Sequence, residues 1–397
     1  MGIFSRILTR VFRNSSLSAL RAAADGGIEQ QVTPDTGMRI SVVFSCVRLV
    51  AGAVAQLPCK VYRHTDSGRE AVRPHPRFYL VGRRPNPWQD AFLFWEYAIH
   101  SLMLNGNFYA IKNMAGDKIL SLDTVPASRV SVEILPIGEK KFKVRGKDGT
   151  EKAYSQNEMF HVCGQSTDGV SGVSPIEFNR TTVGLALNLS EHGNNYFRNG
   201  AFPGLVFSHP GKLSDQAQKR IKDQIIEKYS GKNAHRPMVI EEGMAVSPLA
   251  INNTDAQYID ARRMTREEIC GLYGVPPHMI GATQQARGWS TTEAQMQEFV
   301  NLTLSPWIAR IESAVNNQLI PEREREDVYA RFVVSALLRG DTKTRADYYM
   351  RGINWGWLCP NDVRRLEDMN DRPGGDEYLR PLNMQIGGNG NGQAQDS

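Results

Sequence analysis

From Met296 to Leu319 the apolar residues Met296, Val300, Leu304, Ile308, Ile311, Val315 and Leu319 return every three or four positions. That spacing puts them on one face of a helix and commits the face to a packed core. Ser290-Thr291-Thr292-Glu293, just ahead, has the form of a capping box. The helix so defined runs for about 30 residues. Pro306 lies inside it. An interior proline lacks the amide donor and crowds the carbonyl four residues earlier, so a kink is predicted near Leu302.

Shorter elements precede this helix. Val42, Val43, Phe44, Val47, Leu49 and Val50 predict a helix, followed by a strand over 59–63 and a turn at 65–68. Pro85-Asn86-Pro87 breaks the chain. A helix starts at Asp90, with Phe92, Trp95, Ile99, Leu102 and Met103 on its buried face, and Asn105-Gly106-Asn107 ends it. A strand over 108–112 and further short strands to about Val162 make this part α+β. Ser174-Pro175 opens a helix with proline at its first position, and Asn199-Gly200 closes it. A small β-α-β-β unit fills 201–253. Its helix is capped by Ser214 and buries Ala217, Ile221 and Ile225, and a hairpin joins 238–240 to 245–248. Another helix covers 255–273 and stops at Gly274-Val275-Pro276-Pro277. Residues 278–289 lack apolar periodicity and predict a loop. A solvated turn at 322–327, a strand at 328–334 and helices at 342–354 and 361–368 follow. The tail from Gln385 is rich in Gly, Asn and Gln and is expected to be disordered.

Composition narrows the function. The net charge of +5 is mild for 397 residues. It permits DNA nearby without predicting a tight grip on phosphates. The five cysteines, Cys46, Cys59, Cys163, Cys270 and Cys359, form no C-x-x-C pair, so neither a disulfide framework nor a zinc ribbon is expected. His161-Val162-Cys163 has metal-ligand residue types but no zinc spacing, and reads as a strand end packed into the core. No metal and no cofactor are expected. No uncharged apolar run reaches the ~18–20 residues that span a bilayer. Residues 1–21 place Ile3, Phe4, Ile7, Leu8, Val11 and Phe12 on one face among Arg6, Arg10 and Arg13. Such a segment can lie on a membrane, but the simpler reading is a flexible arm that docks on a partner, with no membrane involved.

Signatures of catalysis are missing. Gly146-Lys147, Gly211-Lys212 and Gly231-Lys232 lack the Ser or Thr that completes a phosphate loop. Gly169-Val170-Ser171-Gly172 lacks the spacing of a nucleophile elbow and reads as a turn. Glu241 and Glu242 sit at a predicted hairpin tip, where carboxylates are usually just solvated. The chain is not expected to be an enzyme. A hydrolase and a membrane-surface protein are the alternatives from other classes.

Several segments occur in a familiar order: Pro85-Asn86-Pro87, Leu104-Asn105-Gly106-Asn107-Phe108-Tyr109-Ala110, Gly172-Val173-Ser174-Pro175-Ile176, Tyr196-Phe197-Arg198-Asn199-Gly200-Ala201-Phe202-Pro203-Gly204, Tyr273-Gly274-Val275-Pro276-Pro277-His278-Met279-Ile280-Gly281, Thr303-Leu304-Ser305-Pro306, Leu338-Arg339-Gly340-Asp341 and Pro360-Asn361-Asp362-Val363-Arg364. From about Val42 to Met369 the chain thus resembles the portal proteins of long-tailed double-stranded DNA phages. It departs from the family at Asp362, where Glu is usual, and at Phe108, where Ala is frequent. Neither position implies chemistry.

The resemblance implies an α+β portal-type fold with an α/β wing, a two-helix stem, a small β-α-β-β clip, a long kinked helix and a helical crown. By matching order, the flexible basic arm is 1–37, the first part of the wing 38–173 and the stem helices 174–200 and 254–273. The clip is 201–253, the tunnel loop 274–289, the kinked helix with the rest of the wing 290–341, the crown 342–384 and the tail 385–397. The implied function is a dodecameric ring at one capsid vertex, in the virion and, during assembly, in the host cytoplasm. The ring is the channel for packaging and ejecting double-stranded DNA, without sequence specificity. The implied partners are the major capsid protein, a scaffold, the terminase large subunit and a head–tail adaptor. Gln284, Gln285, Arg287, Gly288 and Trp289 would line the narrowest point of the channel. Arg287 would touch phosphate, and Trp289 would stack on a neighbouring loop or staple the helix start. Lys219, Lys222, Lys228 and Lys232 would face the terminase or adaptor, unless they form only a solubilising surface.

Overall fold

The fold was obtained as a computed structural model and is described for residues 32–65, 68–72, 76–198, 205–208, 216, 219, 245–248, 254–281, 292–334, 342–367 and 369–379. The arm 1–21, the tail and Leu338-Arg339-Gly340-Asp341 lie outside these residues. The chain divides into two compact units, one comprising 1–289 with 298–333 and the other 290–297 with 334–397.

The larger unit begins with a capped turn, α1 (Pro34–Gly37), and a helix, α2 (Ser41–Ala55). Val43, Cys46, Val47, Val50 and Val54 of α2 are buried. Strand β1 (Cys59–Thr65) pairs antiparallel with β2 (Gly68–Ala71). Helix α3 (Pro76–Gly82) then leads to α4 (Ala91–Asn105), which packs along α2. The ends of α4 follow the sequence. The Asp90 carboxylate accepts from Leu93 N at 2.8 Å, and Gly106 takes the left-handed conformation (φ 73°) that ends the helix. A side chain at Gly106 would also strike the Val173 carbonyl.

The buried face of α4 differs in one residue from the expectation. Phe92 is exposed and Phe94 is buried instead. Phe94 makes edge-to-face contacts with Trp95 (5.0 Å between centroids) and Phe108 (5.3 Å), and Trp95 with Phe332 (5.5 Å). The strands beneath the helix, not the helix's own pattern, select which aromatic turns inward.

Two three-stranded antiparallel sheets follow. One is ordered β4-β3-β8, from β3 (Asn107–Ala115), β4 (Lys118–Val125) and β8 (Met159–Cys163). The other is ordered β5-β6-β7, from β5 (Val130–Ile134), β6 (Lys140–Arg145) and β7 (Glu151–Ser155). Tyr109, Val125, Phe142 and Met159 form a core cluster that draws on both. His161 and Val162 are buried in β8, as expected of a strand end in the core.

The helix expected from Ser174 onward is two helices. Ser174 caps α5 (Pro175–Phe178), its hydroxyl accepting from Glu177 N at 3.2 Å. Asn179 (φ −106°, ψ 37°) then breaks the run, its side chain donating to Pro175 O at 3.1 Å. A short polar side chain competing for backbone groups interrupts a helix in this way. Helix α6 (Arg180–Arg198) continues beyond it. Strands β9 (Leu205–Ser208) and β10 (Ala245–Pro248) pair antiparallel. The Ser214 cap, the Ala217, Ile221 and Ile225 face and the strand at 238–240 lie outside the described residues.

Helix α7 (Thr254–Tyr273) precedes a 3-10 turn at Pro277–Ile280. Helix α8 (Thr292–Glu298) follows; Ser290 and Thr291, which carry the expected capping box, lie outside the described residues. Where a kink is predicted near Leu302 the structure has a π-helix over Phe299–Leu304, and Pro306 sits in the first turn of the α-helix that continues it, α9 (Ser305–Gln318). A wide π turn gives the proline ring room where an α turn would press it on the Leu302 carbonyl. Val300, Leu304, Ile308, Ile311, Val315 and Leu319 are buried, as their spacing predicts, whereas Met296, expected on the same face, is exposed. The last strand, β11 (Val328–Phe332), closes a sheet ordered β11-β1-β2, with Cys59 opposite Phe332.

The smaller unit contains α10 (Thr342–Asn354) and α11 (Pro360–Leu366). Tyr349 donates to Glu367 at 2.6 Å, and Arg345 pairs with the same carboxylate at 3.3 Å. Cys359 caps α11 reciprocally with Asp362, whose carboxylate accepts from Cys359 N at 3.0 Å. The fully buried Asn361 exchanges two hydrogen bonds with the backbone of Arg372.

Candidate nucleic-acid conduit

Helices α6 and α7 pack side by side. Their contact depends on one small residue. Gly193 is buried in α6, and a methyl group there would come within 2.0 Å of the Tyr258 hydroxyl on α7. That hydroxyl donates to Leu189 O at 2.9 Å, and the Tyr258 ring lies 5.7 Å from that of His192. At its other end α7 packs on α2 through Ile269, Cys270 and Tyr273, all buried. The Cys46 thiol is held well above its ordinary pKa by its hydrogen bond with Cys270 and by burial.

The charges of α7 face solvent. Asp260, Arg262, Arg263, Arg266 and Glu268 are exposed. Arg263 pairs with Glu267 at 3.5 Å within the helix, and Arg262 lies 5.8 Å over the Tyr258 ring. Such exposed pairs add little stability. The exposed residues of α6, among them Thr181, Asn188, Ser190, Asn194 and Asn195, are mostly uncharged.

The end of α7 is a complete Schellman motif. Gly274 is left-handed (φ 63°), its amide bonds to Gly271 O at 3.1 Å, and Val275 N bonds to Cys270 O at 2.9 Å. Val275 is buried, and Pro276 prevents the helix from resuming. The chain leaves this turn through Gly281 (φ 87°). Across 29 positions of sequence the buried Thr303 of the π segment donates its hydroxyl hydrogen to Gly274 O.

Beyond Pro306, α9 is bolted to two sheets. Arg310 donates to Gly164 O at 2.7 Å, and Glu312 accepts from Phe332 N at 2.7 Å. Asn316 exchanges bonds of 2.7 and 3.2 Å with Ala330. Gln318 does the same with His161, at 2.9 and 2.7 Å, and the buried Lys112 closes the helix C-terminus by donating to Gln318 O at 2.9 Å. His161 is stacked on Tyr109 at 4.6 Å, and burial lowers its pKa to about 3.

Of the residues singled out in the sequence, Gln284, Gln285, Arg287, Gly288 and Trp289 lie outside the described residues, as do Lys222, Lys228 and Lys232. Lys219 is helical and exposed. Tyr258 and Gly193 carry no local signature beyond a glycine inside a helical run, and Thr303 has only its place in the Thr303-Leu304-Ser305-Pro306 segment. Among the described residues no group of three His, Cys, Asp or Glu side chains could hold a metal ion, and no helix is long and apolar enough to cross a membrane.

This arrangement has counterparts of known architecture. A subunit in the neck of an empty gene transfer agent particle superposes with a TM-score of 0.61 at 22% identity, over 85% of this chain and 93% of that one. The crystal structure of an HK97-family phage portal protein from Corynebacterium diphtheriae gives a TM-score of 0.59 at 18% identity, over 77% and 96%. The fold is therefore the α+β fold of portal proteins.

Sequence makes the assignment specific. The chain is 30% identical to the probable portal protein of Streptomyces phage phiC31 over 383 residues, covering 93% of this chain and 83% of the relative. It is 29% identical to the portal protein of Enterobacteria phage HK97 over 358 residues, covering 89% and 84%. Residues 41–368 match the family model described as phage portal protein. The chain belongs to the phage portal protein family.

Proposed function

We propose that this chain assembles head to tail into a ring at one vertex of a phage capsid and forms the channel through which double-stranded DNA enters and leaves. The single observation that carries this reading is the family match over 41–368. A related fold occupies the neck of gene transfer agent particles, one of them computed with C12 symmetry, which favours twelve copies here. A closed ring requires heterologous interfaces, each subunit offering one flank to its neighbour's other flank.

In this reading α6 and α7 form the stem and 201–253 the clip. Residues 274–289 form the tunnel loop, and 342–384 the crown. Gln284, Gln285, Arg287, Gly288 and Trp289 line the constriction. Lys219, Lys222, Lys228 and Lys232 face the terminase or the head–tail adaptor, and the wing meets the major capsid protein and scaffold. The role is mechanical and involves no turnover. The net charge of +5 suits it, because strong phosphate pairing would stall a moving duplex. The mainly uncharged exposed face of α6 suits it for the same reason.

The test is the mass of the purified protein in solution together with negative-stain images, in the presence of its capsid and scaffold proteins. A ring of about twelve copies with an open centre is expected. Failure to form rings with those partners refutes the reading. Deleting 282–288 should leave rings intact and impair packaging or DNA retention; normal packaging and retention by that deletion refutes the tunnel assignment.

A further inference from the structure

We propose that Thr303 is a positioning residue for the tunnel loop: its hydroxyl fixes the loop's first residue by holding the Gly274 carbonyl. The proposal rests on the assignment of 274–289 as the tunnel loop.

The geometry is specific. Gly274 is the left-handed residue that ends α7, so its carbonyl points out of the helix and has no partner in the Schellman motif. Gly274 itself is exposed, between the buried Tyr273 and Val275. The buried group is the Thr303 hydroxyl, which needs a partner and finds this carbonyl across 29 positions of sequence. Thr303 is 4% exposed and belongs to the π segment.

The π segment is what presents the hydroxyl. Phe299, Val300, Thr303 and Leu304 are buried, while Asn301 and Leu302 are exposed. Returning the segment to α geometry changes the register by one residue and turns the helix by about 100°. Thr303 would then leave Gly274. Ser305 supports the wide turn, since both its amide and its hydroxyl are directed to Val300 O, the latter at 3.0 Å. Gly274, the first residue of the loop, is thus tied to the π segment. On one side stands the capped end of α7. On the other stands a helix whose later turns are fastened to β8 and β11. Thr303 makes a direct polar tie between the two sides.

The test uses the full-length chain assembled into rings and heads. Thr303→Val removes the hydroxyl at nearly constant volume, and Thr303→Ser keeps it. Tryptic cleavage after Arg287, inside the loop, reads how firmly the loop is held. We expect T303V to form rings of unchanged subunit number, to be cleaved after Arg287 at least tenfold faster with no change at Arg263, and to yield at least tenfold fewer DNA-filled heads. T303S should stay within twofold of the parent in both assays. If T303V matches the parent within twofold while deletion of 282–288 abolishes DNA retention, the tie is refuted and the tunnel loop stands. If the deletion is also silent, the tunnel assignment itself fails. Uniformly faster cleavage at Arg263 and Arg287 would assign Thr303 to general stability and overturn the proposal. Should T303V not assemble, T303A against T303S makes the same comparison, hydroxyl absent or present.

Discussion

Substituting Gly193 with alanine sets helix propensity against packing, and the structure decides the winner. In an isolated helix the change is favourable by about 1 kcal/mol. Here the new methyl would stand 2.0 Å from the Tyr258 hydroxyl and 3.0 Å from its ring carbon Cζ. Tyrosine is rigid beyond its second torsion, so the ring must swing or the helices must part. Swinging breaks the 2.9 Å bond to Leu189 O, worth about 1 kcal/mol, and parting the helices costs about 1–3 kcal/mol of overpacking strain. The net expectation is destabilisation of the α6–α7 pair by up to about 2 kcal/mol once the propensity gain is subtracted. Amide hydrogen exchange along α6 and α7 measures this directly, because it reports local opening. The companion variant Tyr258→Phe removes the clashing oxygen. In the double variant the cost should be smaller than the sum of the singles by at least about 1 kcal/mol. Slower exchange in Gly193→Ala than in the parent, or strict additivity with Tyr258→Phe, would show that the helices do not meet at this point.

Two further outcomes test the larger unit. His161 titrates at about 3 when folded, against an ordinary value near 6.5, because burial disfavours its cation and Lys140 adds repulsion. Its stabilisation is complete above pH 6.5 and is lost as pH falls toward 3, at up to about 1.4 kcal/mol per pH unit. Urea midpoints at pH 7, 6 and 5 should fall more steeply for the parent than for His161→Phe, and parallel slopes would refute the assignment. Asn86 is buried and makes four bonds: to Gln89 Oε1 at 2.8 Å, to Leu122 O at 2.9 Å, and from the amides of Trp88 and Gln89 at 3.2 and 2.8 Å. Asn86→Ala orphans several of these groups and should cost about 2–4 kcal/mol in denaturant titration; a loss below 1 kcal/mol would mean that the turn at 85–90 is held by other contacts.

Chemistry acting within a few residues was legible in the sequence. Asp90 and Gly106 bracket α4, Gly274-Val275-Pro276 stops α7, and Pro306 marks the interruption of the long helix. Each acts on backbone groups at most a turn away, so residue type and spacing suffice. The break at Asn179 was missed because an asparagine within a helical run signals only weakly; its effect rests on one bond to Pro175 O. The choice of Phe94 over Phe92 was missed for a different reason. The aromatic-rich stretch offers two workable faces, and Phe108 and Phe332, brought in by distant strands, settle which one is buried.

The candidate site follows the same division. Family motifs fall at the start of α5 and at the end of α7, since the turns that carry them are local. What fastens them is long-range. Tyr258 reaches Leu189 over 69 positions, Gln318 reaches His161 over 157 and Lys112 reaches Gln318 over 206. A side chain that closes a contact over such separations needs only a donor or acceptor of the right length, and no spacing rule betrays it. Pro306 is the instructive case. The sequence shows that one hydrogen bond is lost there but leaves open whether the helix bends or widens. With α9 fixed to β8 and β11 beyond the proline, a widened turn is the solution that keeps Phe299, Val300 and Leu304 buried while Thr303 meets Gly274. The local rule names the position of the defect, and the distant contacts choose its form.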